Sequence, residues 1–385
     1  MDKKGFEKIN ELLGFEITDK KTSVIDANTE KFLQKISRLL EKPDGQVKDN
    51  IRHLFYILSS ICWMQGVYFS SLQKINKSQS IQTALSNLCI PVFDISEIAL
   101  KQLHELTKAF QYESAKKNSL AGFSLDFSTL GEVDLLLQLS RVALVALLHK
   151  YHGPLFIQAN HLKFDGSRFE DDREKLLEEL KSKTKQAIHL GIFNINYDAS
   201  QLVDMEASRI TEKMLMNLKM VAMATNLWVR NFQPNGVVVS VSGNMGKSAG
   251  SLPGEADVKE FLQRMLKEGS RLRFGVAGED ISKVEIPLPK INQETINQIN
   301  QLNEIVRQDI KIGGVVLDVG TVKDMDAYLP FSALRICELK MKPEKGLITE
   351  DNIKTILKKC GCFEVEFKIN DYGMRMNQFP TAAEF

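Results

Sequence analysis

Two hydrophobic periods divide this chain. Up to about residue 89 the apolar residues recur at helical spacing. Phe32, Ile36 and Leu39/Leu40 form one stripe, and Leu54, Ile57/Leu58, Ile61 and Met64 form another. Pro43-Asp44-Gly45 supplies a turn between them, and the mostly polar stretch Lys74–Ser80 reads as the loop that leads onward. From about residue 90 the period changes. Short apolar runs alternate with longer helical patterns, as βα units on a parallel sheet require.

The runs that read as strands are Pro91–Ile95, Leu120–Phe127, Pro154–Ala159, Phe193–Tyr197, Val237–Val241, Val284–Leu288, Gly314–Leu317 and Arg335–Lys340. Several, such as Val237–Val241, are apolar on both faces, which suits strands buried beneath helices. Between them, about 172 to 189 carries Leu176, Leu180 and Ala187/Ile188 on one stripe, with Glu179 and Lys183 as an i,i+4 pair outside. About 293 to 309 turns Ile296, Ile299, Leu302 and Ile305/Val306 to one side, with Asn292 as its N-cap. A last helix follows Thr349 and carries Ile353, Ile356 and Leu357. Eight strands alternating with helices predict an α/β fold: a closed (β/α)8 barrel over residues 90–362. A helical N-terminal extension (1–89) precedes it and a short tail (363–385) follows.

Composition narrows the function classes. The 385 residues are 43% hydrophobic and 26% charged, with a net charge of +1. That is a globular balance and advertises neither nucleic acid nor an anionic membrane as a partner. Five cysteines without paired zinc spacing read as reduced cytoplasmic thiols. Cys360-Gly361-Cys362 reads as a helix-ending turn rather than a redox pair. Leu54 to Gln73 is free of charge and long enough to span a bilayer, yet its Ser, Gln and Gly content favours a buried helix. The N-terminus shows no apolar signal core.

Function in such a barrel gathers at the C-terminal ends of the strands. The candidate residues there are Asn160 and His161 after the third run, Asp198 after the fourth, Gly243, Gly246, Lys247 and Ser248 after the fifth, and Asp318, Gly320 and Thr321 after the seventh. Glycines let backbone approach a ligand, and Lys247 and Ser248 can engage an anion. The loop is not a Walker A motif, since position 241 is Val. His161 is a candidate metal ligand, with Asp198 and Asp318 as carboxylates suited to a harder cation. The bland alternatives are a hydrogen-bonded structural histidine, loop or cap aspartates and a ligand-free turn. His53, His104, His149, His152 and His189 show no convergent partners in sequence.

The same positions carry a resemblance. Gly153-Pro154-Leu155-Phe156-Ile157-Gln158-Ala159-Asn160-His161 looks like the GPVFIQGDH block of class II fructose- or tagatose-bisphosphate aldolases. The stretch Gly191–Asp204 is similar to that group's GFYNIDIDTSTLVD, Val241–Gly250 follows its VGGEIGEVGG without a gap, and Gly314–Phe331 looks like its GAVQHGAST block. The resemblance implies a barrel that binds zinc or another divalent metal through histidines at strand ends. The metal polarises a ketose carbonyl, an Asp next to the first His moves protons, and glycine-loop amides hold phosphate.

Departures fall on those implied groups. Asn160 stands where the family has Asp, Asn244 where its glycine loop is acidic, and Asp318 where the seventh strand has His. A ligand-bearing loop is shortened around Pro287–Asn292. One imidazole with scattered oxygens makes a poor zinc site. The sequence therefore favours an aldolase-type barrel without zinc-dependent cleavage and with no cofactor, whose glycine loop retains a phosphorylated sugar or other small metabolite. Two alternatives stand beside it. One is an active lyase holding a divalent metal on His161 and Asp318 with help from Asp198. The other is an interaction subunit, with homo-oligomers open to it.

Overall fold

The computed structural model describes residues 29–70, 89–111, 117–118, 121–151, 153–202, 212–232, 240–244, 256, 283–287, 293–308, 315–322, 338–360 and 365–366. Three helices open it: α1 (Thr29–Glu41), α2 (Gly45–Asp49) and α3 (Ile51–Met64). A strand that the helical pattern did not predict, β1 (Val67–Ser70), comes next. The eight predicted strands follow as β2 (Ile90–Asp94), β3 (Gly122–Asp126), β4 (Gly153–Lys163), β5 (Asn194–Asp198), β6 (Ser240–Asn244), β7 (Lys283–Pro287), β8 (Val315–Val322) and β9 (Glu338–Pro343). The described helices between and after them are α4 (Leu100–Phe110), α5 (Glu132–Leu148), α6 (Gly166–Asp171), α7 (Arg173–His189), α8 (Glu212–Phe232), α9 (Gln293–Gln308) and α10 (Glu350–Lys359). Thr349 caps α10 as its sequence position suggested, accepting from Asn352 N. The segments between β6 and β7 and between β8 and β9 lie almost wholly outside the described residues, as does Asn292.

Each of β2 to β9 pairs in parallel with its sequence neighbour, and β9 pairs with β2, so the order returns on itself. A period of two then sorts the side chains. Phe93 and Phe123 both pack against the Phe110 ring of α4, and Tyr197 meets Thr184 of α7 at 2.8 Å, so these residues face the helices. Their neighbours along each strand face the enclosed side. That inner set is more polar than the apolar runs suggested: Ser124, Gln158, Asn160, Asn194, Asn196, Glu338 and Lys340 are all buried.

The strand β4 is the longest, and its two edges explain β1. On one edge it pairs with β3. On the other its outer half, from Gln158, pairs with β5, and its first four residues, Gly153–Phe156, pair with β1. The stagger of a closed ring leaves the start of β4 beyond the reach of β5, and β1 fills that edge.

The N-terminal helices lie on α5. Leu58 and Ile61 of α3 are buried, Cys62 donates to Ala143 O, and Arg141 donates twice to Leu40 O at the end of α1. Covered on both sides, α5 is apolar nearly all round, with Leu135 to Leu147 buried apart from Arg141. The charge-free run from Leu54 is thus helix only to Met64. No helix among the described residues is long and apolar enough to cross a membrane. Cys62, Cys89 and Cys360 are buried free thiols, and Cys360 is the C-cap of α10, the turn role predicted for it. Gly361, Cys337 and Cys362 lie outside the described residues.

Two local features yield predictions. Helix α7 ends in a pair of crossed bonds, Gly191 N to Ile188 O and Ile192 N to Ala187 O, which need the left-handed φ of +80° at Gly191. A methyl there would meet Phe69 of β1 at 2.9 Å. Gly191→Ala is therefore expected to cost about 1–2 kcal/mol from the backbone alone, read as a lower urea midpoint at unchanged slope.

The second concerns His104 and His149, which the sequence left without partners. Their ring nitrogens, Nδ1 and Nε2, meet at 2.9 Å. Burial holds both below the usual histidine value, with the opposing imidazole and Lys108 also pressing on His149, which falls to about 4. Glu105 and Glu350 pull His149 the other way. Between pH 6.5 and 4 the unfolded chain binds a proton at His149 that the folded chain refuses, so stability is lost as pH falls through that window. His149→Gln should lose less stability than the parent between pH 7 and pH 5 in urea titrations.

Candidate functional site

The second half of β4 and the middles of β8 and β9 come together within the strand ring, and β4 and β8 each have a local irregularity there. Along β4, the step from Ala159 to Leu162 takes one residue more than the matching step from Ile195 to Tyr197 on β5. Along β8, the step from Asp318 to Thr321 takes one more than Lys340 to Lys342 on β9. Such one-residue bulges re-aim side chains at barrel rims. The first carries Asn160 and His161, and the second carries Asp318 and Gly320.

Gly320 has a φ of +64° and donates its N–H to Asp318 Oδ1 at 2.9 Å. This leaves the other carboxylate oxygen, Oδ2, to face the ring. It lies 3.9 Å from His161 Nε2 and 3.9 Å from Lys340 Nζ. Lys340 Nζ lies 3.4 Å from His161 Nε2. The three groups form one cluster from three strands. Lys340 is only 3% exposed, against 30% for the His161 side chain and 23% for that of Asp318, so the ammonium is the dry member and the other two are partly open. As a cation it donates to Nε2, which requires the neutral ring to carry its proton on Nδ1.

The other predicted residues have separate settings. Asn160 is buried, with Oδ1 accepting from Gln158 Nε2 at 2.9 Å. Asp198 closes β5, level with Lys163 of β4, and its carbonyl accepts from Phe164 N at 2.8 Å. Thr321 is exposed on β8. Gly243 is a strand residue, paired with Tyr197 and Val284, and so stands level with the helix-facing side of β5. Gly246, Lys247 and Ser248 lie outside the described residues. The carboxylates of Asp94 and Asp126, also at strand ends, are turned into local bonds with Ser96 N and with Ser128.

Sequence reasoning missed Lys340, the cation that His161 and Asp318 share. A signal was available. Lys340 alternates with Leu339 and Met341, both of which are buried on the helix side, which assigns Lys340 and Glu338 to the interior.

The donor set can be tested against a divalent metal. Zinc takes four neutral or anionic donors at about 2.0–2.2 Å. His161 and Asp318 supply two, and the third neighbour is an ammonium, which has no lone pair to give. Among the described residues no group of three or more His, Cys, Asp or Glu side chains is placed to hold a metal. These residues do not fit such an ion.

No protein-family model matches the chain, and no curated protein matches it. Solved structures similar to it include a fructuronate-tagaturonate epimerase from Cohnella laeviribosi, at 8% identity and a TM-score of 0.45, over 75% of this chain and 61% of the epimerase. A fructose-bisphosphate aldolase from Campylobacter jejuni is similar at 12% identity and a TM-score of 0.42, over 72% of this chain and 76% of the aldolase. A GH5-4 broad specificity endoglucanase from an uncultured bacterium is similar at 11% identity and 0.45, over 77% and 98%.

The cluster predicts an energetic coupling. Asp318→Asn leaves the buried ammonium without its carboxylate and should cost about 1–3 kcal/mol. Adding Lys340→Met should recover part of that loss, and a double-mutant cycle in urea measures the coupling directly.

Proposed function

We propose that the chain is a cytoplasmic (β/α)8 barrel of the class II sugar-bisphosphate aldolase type that has given up zinc-dependent cleavage. Its mouth binds a phosphorylated sugar or a comparably anionic small metabolite. In this reading residues 90–362 form the barrel, 1–89 its helical extension and 363–385 a tail.

One observation carries the proposal: the Lys340 ammonium forms a triangle with His161 Nε2 and Asp318 Oδ2, at 3.4 and 3.9 Å from them. A fixed side-chain cation thus holds the place that the resemblance would give to a dissociable one. It supplies positive charge in a sheltered setting, where attraction to an anionic or strongly polarised ligand is stronger than in water. Asn160, in the position of the family's proton-transferring Asp, is consistent with the same loss, since an amide cannot accept a proton as a carboxylate does.

The close approach of His161 to Asp318, at 3.9 Å, is what favours the second reading, a metal-dependent lyase. A metal shared by these two groups would have to displace the ammonium and recruit further donors.

A thermal-shift titration with fructose 1,6-bisphosphate separates the two. The proposal expects stabilisation in the presence of a chelator, reaching about 2.7 kcal/mol at 100-fold excess over Kd, with no added effect of zinc. Stoichiometric bound metal together with zinc-dependent aldol cleavage would overturn it.

A further inference from the structure

The metal-free reading leaves one group of the cluster without a chemical role. Lys340 is a primary amine inside an enclosed ring, in the middle of its six-residue strand and 3% exposed. An ammonium that served only to balance Asp318 needs no second contact. This one also has an imidazole nitrogen at 3.4 Å, the kind of base that an amine nucleophile requires. The bulges that bring His161 and Asp318 to it lie on separate strands, so two independent irregularities converge on a single Nζ.

We infer that Lys340 is a carbonyl-capturing nucleophile that forms a Schiff base with an aldehyde or ketone bearing an anionic group, with His161 as its proton shuttle. The inference rests on the metal-free reading of the same site and gives that site a reactive centre.

The step balances on the groups present. Lys340 gives a proton to His161 Nε2, and the freed Nζ lone pair attacks the carbonyl carbon. The C–N bond forms while the carbonyl π pair moves to oxygen, which takes the proton back from His161. A second proton then passes from nitrogen to His161. The nitrogen lone pair expels the hydroxyl, which leaves as water on receiving that proton. Ammonium and carbonyl are consumed, iminium and water are produced, and His161 is regenerated. The positive charge alternates between nitrogen and the His161 ring, both 3.9 Å from Asp318 Oδ2, so the carboxylate keeps a cationic partner throughout. His161 and Asp318 are the partly open members of the cluster, so a carbonyl would approach the amine along their open side.

The test is reductive trapping. The intact protein is incubated with dihydroxyacetone phosphate and a chelator, treated with borohydride, and analysed by intact mass and peptide mapping. The expected result is one saturable adduct per chain on the peptide carrying Lys340. Lys340→Arg keeps the charge beside Asp318 and should abolish the adduct. His161→Gln should slow trapping by about 100-fold, the lower end of what a positioned acid–base group supplies, and should flatten its dependence on pH. Peptide mapping of the parent protein decides the matter even if a variant does not fold. No adduct, or adducts spread over other lysines, overturns the inference. Binding of fructose 1,6-bisphosphate without any trapping would sink this inference and leave the metal-free binding reading standing. Loss of both would remove the two together.

Discussion

Closure of the strand ring is the constraint from which the rest follows. Once β9 pairs with β2, each ring strand has a ring neighbour on both sides and every second side chain is committed to a shared enclosure. A charge placed there has little water to screen it, and must be met by an opposite charge or a hydrogen bond. Lys340 meets that demand with Asp318, on the adjacent strand at the same level of the barrel. The polar contents of the enclosure are amides and hydroxyls, the Glu338 carboxylate, and the Lys340–Asp318 pair.

Bulges turn that compensated pair into a site. In an unbroken strand, His161 would alternate with Asn160 and only one of them would lie inside. The extra residue in β4 brings His161 to Lys340 while Asn160 remains bonded to Gln158. In β8 the extra residue is accommodated by the left-handed Gly320, whose amide steers the Asp318 carboxylate. An ammonium fixed in this way differs from a bound ion in one functional respect. It cannot be lost to a chelator, and it cannot expand its coordination to admit a substrate oxygen. Whatever it does, it does through charge, hydrogen bonding or its own nitrogen.

The eight ring strands were legible because each is a short apolar run bounded by turn residues, and their observed bounds lie within a few residues of the predicted ones. The helices α7, α9 and α10 were legible from their stripes. The strand β1 was not, because Val67 to Ser70 continues the charge-free run of α3 without a polar break. Gly66, at a φ of +75°, was the one visible stop. At the site, His161 and Asp318 came from strand-end position and family likeness, and the structure does bring them together. Lys340 escaped because lysine at a strand end usually reads as solvent-facing. The bulges escaped because one inserted residue leaves no mark in a run of apolar letters. The His104–His149 pair joins positions 45 residues apart, which no local pattern could connect.

The strand β1 carries a consequence for the N-terminal region. Its four residues cover the opening stretch of β4, and the helices before it bury the outer side of α5. A chain shortened to begin after residue 70 would bare the amide and carbonyl row of Gly153–Phe156, a ready template for a strand from another molecule. The segment that looks like an appendage in the sequence thus completes the pairing of a ring strand.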